Sequence, residues 1–325
     1  MKAIVLAGGY ATRLWPITRN RPKMFLPVGE GTVIDDVFAD LEEDERMEEV
    51  YVSTNERFAD DFDAYLDDSG FEKPVVSVEE TVDEDEKFGV VGALAQLIDR
   101  ENLDDDLVVV AGDNLISFDL AEFGDFFREK GTPCIAAYDV ESKERAKSYG
   151  LVDLEDDRIV DFQEKPEEPK TTLVSIACYA FPRETLPEFE TYLDGENNPD
   201  EPGWFVQWLQ HREAVHAFTF DGAWFDIGTP ASYLEAVAWK LDGENLVADG
   251  ATVENTDLGE NVHVMSDATV EDSALDRTVV FDDATVVDSE LRESIVDESS
   301  YVQGLDLAGA LVGAHSEISD DDSRT

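Results

Sequence analysis

From Val264 onward the apolar positions fall at Val270, Leu275, Val280, Val286, Leu291, Val296, Val302, Leu307, Val312 and Ile318, at recurring intervals of 6, 5 and 5 residues. Neither a heptad nor the 3.6-residue period of a helix fits that spacing, and the pattern closes on itself every 16 residues. The triplets Ala268-Thr269-Val270, Ala284-Thr285-Val286 and Ser300-Tyr301-Val302 show the repeat directly, and Ala251-Thr252-Val253 is an earlier copy one residue out of phase. Three short apolar steps per repeat predict a three-sided β-solenoid, in which each coil buries one residue per side and stacking completes the core. An array of β-hairpins is the plainer alternative, and the regularity of the spacing favours the solenoid.

The chain upstream of about residue 240 has a different rhythm. Apolar, β-branched runs occur at 2–7, 49–53, 74–78, 107–111 and 133–139, with amphipathic stretches at 32–42, 56–67, 90–100 and 119–129 between them. Such alternation predicts a mixed, mostly parallel sheet with helices on both faces. A hairpin at 149–162, an apolar run at 172–181, a helix near 183–193, a strand at 215–220 and a helix from Pro230 to Leu241 follow. The expected organisation is therefore an α/β domain over 1–242, a repeat domain over 246–319 and an acidic tail over 320–325.

Charge narrows the function. The 325 residues carry 77 acids against 24 Lys and Arg, a net charge of −53. Such a surface repels nucleic-acid phosphates and anionic lipid, which argues against partners of either kind. Self-repulsion at this density favours a salty medium, where the Debye length falls to roughly 3 Å at 1 M. With 42% apolar residues the chain is too hydrophobic for a disordered acidic tail. Cys134 and Cys178 lie in apolar runs and read as buried thiols rather than a disulfide. No apolar run approaches membrane-spanning length, so a cytoplasmic protein is expected.

The acidity is uneven. Residues 1–29 contain no Asp or Glu, although 77 acids in 325 residues would put about seven in such a window. They do contain Lys2, Arg13, Arg19, Arg21 and Lys23. Burial of the first strand accounts for the first third alone. A loop over Gly8 to Pro27 kept free of carboxylates points to a polyanionic small molecule. Gly8-Gly9 directly after the strand lets backbone N–H groups approach phosphate oxygens. Arg13 offers a phosphate fork and Lys23 a point charge. No Walker A lysine and no Gly-x-Gly-x-x-Gly fingerprint is present.

Asp113, in Gly112-Asp113-Asn114, follows an apolar strand and is placed to hold Mg²⁺ against phosphates, with an Asp/Asn turn as the equally weighted alternative. Asp226 lies between aromatics and Gly228-Thr229, where a helix-flanking acid is the plain reading; Glu164-Lys165-Pro166 reads as the end of a hairpin with a surface ion pair. The four histidines have no metal-ligand spacing.

Taken together, Leu6-Ala7-Gly8-Gly9-x-x-Thr12-Arg13-Leu14-x-Pro16 and Pro22-Lys23-x-x-Leu26-Pro27 resemble the signature of the sugar-1-phosphate nucleotidylyltransferases, closest to the glucose-1-phosphate thymidylyl- and uridylyltransferase branch and of a haloarchaeal type. Phe88-Gly89-Val90-Val91-Gly92-Ala93-Leu94, Gly112-Asp113-Asn114, Tyr149-Gly150, Glu164-Lys165-Pro166 and Trp224-Phe225-Asp226-Ile227-Gly228-Thr229 follow in that family's order. The resemblance implies a Rossmann-like nucleotidyltransferase domain, and the repeats resemble the left-handed, hexapeptide-type β-helix appended in several members. It implies that Leu6, Gly8, Gly9 and Gly89 line the nucleotide, and that Arg13 and Lys23 act on its phosphates. It also implies that Gly150, Glu164 and Lys165 hold the sugar phosphate, and that Asp113 and Asp226 bind Mg²⁺. Ala11 stands where the family usually has Gly, and Val90-Val91 where Thr-Ala is common.

The implied reaction joins a sugar-1-phosphate, with glucose favoured, to dTTP or UTP and releases pyrophosphate. Mannose-1-phosphate with GTP and N-acetylglucosamine-1-phosphate with UTP are the alternatives. An added acyltransferase in the repeats, with His263 or His315 as base, and a non-catalytic regulatory subunit stand behind them. A homo-oligomer is expected. An anionic protein attracts an anionic substrate better once its field is screened. The KM for the triphosphate should therefore fall between low and molar KCl while circular dichroism shows an intact fold; a steady rise would contradict this.

Overall fold

The computed structural model describes residues 1–79 and 89–320. Their contacts group into two compact units, one of Met1–Gly9 with Ile34–Trp224, the other of Tyr10–Val33 with Phe225–Thr325. The second unit thus takes in a segment from near the amino terminus.

The first unit is built on a nine-stranded sheet. Its strands are β1 (Lys2–Leu6), β2 (Glu49–Asn55), β3 (Pro74–Glu79), β4 (Leu107–Ala111), β5 (Cys134–Asp139), β6 (Gly150–Glu155), β7 (Arg158–Glu164), β8 (Leu173–Phe181) and β9 (His216–Thr219), in the order β3-β2-β1-β4-β8-β5-β9-β7-β6. Only β7 and β8 run against the other seven. The helices in this unit include α1 (Val33–Glu43, from Ile34 on), α2 (Ala59–Ser69), α3 (Gly89–Arg100), α4 (Leu120–Lys130), α5 (Pro187–Asp194) and α6 (Pro202–Leu209). The expected alternation is present, with boundaries moved by a few residues.

Ile4 and Val109 pack with Val91 and Leu97 of α3 and with Phe189 and Phe205 of α5 and α6 in one apolar core. β4 is buried along its whole length, which is why its sequence is a continuous apolar run without alternation. α4 starts where the Asp119 carboxylate accepts the Ala121 N–H at 2.7 Å and stops at Gly131 in the left-handed region. Cys134 and Cys178 are both buried and unpaired, and burial pushes the Cys134 thiol up to about 12.

In the second unit the 16-residue repeat becomes three stacked parallel sheets. One contains His263–Val264, Val279–Val280, Ile295–Val296 and Leu311–Val312, the second Thr269–Glu271, Thr285–Val287, Tyr301–Gln303 and Glu317–Ser319, and the third Ala274–Asp276, Glu290–Arg292 and Asp306–Ala308. Equivalent residues pair directly, as in Val270↔Val286↔Val302. Val264, Val270, Leu275, Val280, Val286, Leu291 and Val296 form the buried core.

The corners obey the same period. Asp272, Asp288 and Gly304 occupy one left-handed corner, Arg277, Glu293 and Gly309 the next, and Asp267, Asp283, Ser299 and His315 the third. Hydroxyls bridge successive coils there: Ser289 N–H donates to Ser273 Oγ at 3.1 Å and Leu305 N–H to Ser289 Oγ at 3.2 Å. The phase slip in the first copy has a local cause. Leu258 pairs with Leu275 seventeen positions on, whereas left-handed Asn261 and Arg277 are sixteen apart, so the extra residue lies in the Gly259-Glu260 corner. Helix α7 (Pro230–Leu241) also belongs to this unit; its first turn is closed by a capping box between Thr229 and Ser232, with Pro230 in the first turn.

Leu291 is fully buried between coils. Leu291→Ala should lower the unfolding free energy of the full chain by about 3 kcal/mol, read from guanidinium titration in molar KCl.

Candidate active site

β1 and β4 lie side by side, Leu6 against Ala111, and their carboxyl ends deliver the glycine loop and the acid motif to one edge of the first unit. The backbone is pinned from both sides. Ala7 N–H donates to Ser53 O at 2.7 Å, Gly112 N–H to Leu6 O at 3.0 Å, and the Asn55 side chain to Gly8 O at 2.9 Å. At Gly8 a Cβ would come 2.8 Å from Glu79 Oε1, whereas at Gly9 it would meet nothing within 4 Å. Gly9 thus leaves its backbone bare on an exposed loop.

Asp113 is oriented through a chain of partners. Asn114 Nδ2 donates to Asp113 Oδ1 at 3.0 Å, and the buried Trp224 indole donates to Asn114 Oδ1. Tyr149 packs edge-on against Trp224 with ring centroids 4.9 Å apart. Three motifs widely separated in sequence therefore meet at Trp224. A carboxylate oriented through a neighbouring amide in this way is typical of a metal ligand.

Gly150 and Glu164 are direct partners across the β6–β7 ladder. The Glu164 carboxyl lies over two bare glycines: a Cβ at Gly150 would sit 2.8 Å from Oε2, and one at Gly203 only 1.6 Å. Glu164 is 8% exposed, and burial raises its pKa to about 7, with the Lys165 ammonium pulling the other way. Its N–H donates to Gln207 Oε1 at 2.9 Å. Lys165 follows in the left-handed region, its N–H bonded to Tyr149 O and its ammonium paired with Glu201. Gly89 opens α3 at φ +72°, with Pro199 O 2.3 Å from where a Cβ would be, so two separate constraints require glycine. Val91 N–H donates to Pro199 O at 2.9 Å. The segment 199–203 thus touches Gly89, Lys165 and Glu164. Phe88 lies outside the described residues.

In the second unit, Ala11 adopts φ +49°, the left-handed region, ahead of a single 3₁₀ turn carrying Arg13. The extra Cβ noted from the sequence is therefore carried in a conformation that favours glycine. The Arg13 guanidinium lies 3.0 Å from where a Gly228 Cβ would be, and Asp226 Oδ1 3.5 Å from the same point, so the two flank Gly228. Lys23 opens a second 3₁₀ turn whose Met24 and following Leu26 are buried. The strand Pro27–Val28 after it is held by the Tyr233 hydroxyl, which donates to Pro27 O at 2.7 Å.

Among the residues predicted from sequence, Leu6, Gly8, Gly9 and Asp113 gather at the ends of β1 and β4. Gly150, Glu164 and Lys165 gather with Gly89 around 199–203, and Arg13 with Asp226. Glu79, Glu201 and Gly203 were not foreseen. Glu79 had one signal, its place at the carboxyl end of a parallel strand, but its approach to Gly8 depends on strand order. Among the described residues no cluster of three or more His, Cys, Asp or Glu could by itself hold a metal ion. A carboxylate such as that of Asp113 is an oxygen donor of the kind Mg²⁺ takes.

Residues 2–242 match the Nucleotidyl transferase family model, and the chain belongs to that family. It is 30% identical over 234 residues to a Sulfolobus acidocaldarius protein provisionally described as a mannose-1-phosphate guanyltransferase, covering 72% of this chain and 61% of that one. It is 27% identical over 279 residues to the bifunctional protein GlmU of Methanocaldococcus jannaschii, covering 85% and 61%. A UTP–glucose-1-phosphate uridylyltransferase of Synechocystis is 29% identical over 255 residues, covering 75% and 64%. The chain spans about three fifths of the length of these relatives. A crystal structure provisionally described as a Bacillus anthracis glucose-1-phosphate thymidylyltransferase with sucrose superposes with a TM-score of 0.65 at 24% identity, over 74% of this chain and 96% of the other, and shows a shared fold. No described helix is long and apolar enough to cross a membrane.

Because burial raises the Glu164 pKa from 4.5 to about 7, the folded protein holds an extra proton between those values. Its contribution to stability is complete below pH 4.5 and is lost as pH rises through 7. Glu164→Gln should therefore raise Tm relative to the wild type at pH 8 and leave it nearly unchanged at pH 5, by calorimetry at constant salt.

Proposed function

We propose that the chain transfers a nucleotidyl group from a nucleoside triphosphate to a sugar-1-phosphate, releasing pyrophosphate. The observation that carries this reading is the meeting, at the ends of β1 and β4, of an acid-free glycine loop with a carboxylate oriented through Asn114 and Trp224. The attacking sugar-phosphate oxygen is already anionic, so alignment and charge neutralisation matter more than a strong base. The N–H groups at Gly8 and Gly9 receive phosphate oxygens, and Arg13 and Lys23 neutralise charge on the triphosphate. Gly89 sits by the base, its missing side chain required by the close approach of Pro199 O. Lys165 holds the sugar phosphate, and Glu164 accepts from a sugar hydroxyl across Gly150. Asp113 and Asp226 would hold Mg²⁺, which when bound neutralises phosphate charge.

Residues 1–242 are read as the catalytic domain and 246–319 as a left-handed β-helix serving assembly, in a cytoplasmic homo-oligomer adapted to high salt. Glucose-1-phosphate with dTTP or UTP is the first reading of the substrates. GTP with mannose-1-phosphate is the second, favoured by the Glu79 carboxylate beside Gly8 and by the guanyltransferase relative. A carboxylate accepts from the adjacent N1–H and N2–H donors of guanine, whereas uracil and thymine offer one N–H on that edge. An acyltransferase in the repeats has less support. His263 is 5% exposed, its Nδ1 has no hydrogen-bond partner among the described residues, and burial pulls its pKa down to about 4.

A matrix of glucose-, mannose- and N-acetylglucosamine-1-phosphate against dTTP, UTP and GTP, with Mg²⁺ in molar KCl and pyrophosphate release as readout, tests the reading. One pair should dominate. Asp113→Asn and Lys23→Ala should each cut turnover by roughly 100-fold or more without unfolding. Near-normal turnover in both, or no pyrophosphate from any pair with the wild type, would refute it.

A further inference from the structure

The loop that carries Arg13 and Lys23 packs on the repeats through contacts the proposed chemistry does not itself require. Arg21, two residues before Lys23, donates from Nη2 to Asp297 Oδ1 at 2.7 Å. Asp297 follows Ile295–Val296 in the first repeat sheet and is 1% exposed, so its carboxylate has been withdrawn from water. The exposed Glu298 approaches the same guanidinium at 3.3 Å. The guanidinium also lies over the Phe281 ring, 5.0 Å from its centroid, one coil earlier. Phe281 is itself 1% exposed.

A second contact fixes the other half of the loop. Gly313, directly after Leu311–Val312 in the same sheet, leaves space that Pro16 occupies. A Cβ there would come 2.7 Å from both Pro16 Cβ and Cγ. Between these points the loop is closed by its own short bonds: Thr18 Oγ1 donates to Ala11 O at 2.9 Å, and Arg19 N–H to Pro16 O at 3.1 Å. Pro22 then joins Arg21 stiffly to the turn that presents Lys23. The backbone route from either contact to a phosphate-binding cation is only two or three residues long.

We propose that the repeat domain is a working part of the nucleotide site: Asp297, through Arg21, and Gly313, through Pro16, are positioning residues that fix the Arg13–Lys23 loop for triphosphate binding. The inference rests on the proposed role of that loop, and it gives the repeats a task besides assembly. It explains a buried carboxylate in a chain that can place acids on its surface at no such cost. A partly buried, hydrogen-bonded pair is screened less by salt than an exposed one. The anchor therefore holds in the medium where surface pairs weaken.

The test uses the full chain in molar KCl, with wild-type pyrophosphate release from the best pair among UTP, dTTP and GTP and the sugar-1-phosphates as reference. Asp297→Asn keeps the shape and removes the charge. Gly313→Ala leaves charge alone and pushes on Pro16. Each should raise KM for the triphosphate at least 10-fold while KM for the sugar-1-phosphate changes less than 2-fold, and each should speed tryptic cleavage after Arg19 and Lys23 several-fold. Asp306→Asn, which removes an equal charge from the exposed Arg292 pair, should match the wild type in both assays. Cleavage is read without turnover, so it decides the anchoring even if the wild type shows none of the expected reaction. Wild-type KM and cleavage in both variants overturn the proposal. So does an equal rise in both KM values, which marks general destabilisation. If Asp297→Asn does not fold, Gly313→Ala alone decides.

Discussion

The parallel pairing of β1 with β4 is the constraint on which the rest of the first unit depends. Both strands are apolar and deeply buried, so their register is fixed by the core rather than by the residues that follow them. Because they run in the same direction, whatever follows each strand emerges at the same edge. One is followed by two glycines, the other by Gly112-Asp113-Asn114. Neither strand could be displaced without exposing a continuous apolar run, so the spacing between backbone donors and carboxylate is inherited from the core.

The same economy of position recurs at Glu164. Its carboxyl lies over glycines at 150 and 203, because a side chain at either would occupy its place. Burial there makes the protonation state a property of the fold: an ordinary carboxylate at the end of a hairpin becomes a group that titrates near neutrality. Lys165 and Glu201 are arranged around it by the left-handed turn after β7 and by the segment that also receives Gly89. The two motifs that sequence order keeps far apart are joined by a short stretch, 199–203, that carries no recognisable motif.

Much of this was legible beforehand. The 16-residue period named one inward residue per side of each coil, Val264 to Val302 among them, but not Val262, Ala268 and Ala284, which are buried in the same core, and it included Leu307 and Ile318, which are only partly buried. The acid-free window at 1–29 marked the glycine loop because carboxylates are otherwise everywhere. The departure at Ala11 was visible as an extra Cβ, though only the backbone shows that it sits at positive φ. Glu79 and Gly203 were not legible. Each acts across strands or helices whose neighbours the linear order does not give. The acid-free loop likewise hid that it meets a buried acid, Asp297, at 276 residues' distance.

The sequence by itself determined the periodicities, and with them two kinds of architecture, the place of the glycine loop and the identity of the chemical groups. These are local properties: strand propensity, apolar spacing and the absence of carboxylates all act within one turn or one repeat. The tertiary structure alone decided which groups meet and in what state of charge. Contact between Trp224 and Asn114, between Glu164 and Gly203, and between Arg21 and Asp297 depends on strand order and on stacked coils. The energy of a carboxylate depends on how much water the finished fold leaves around it.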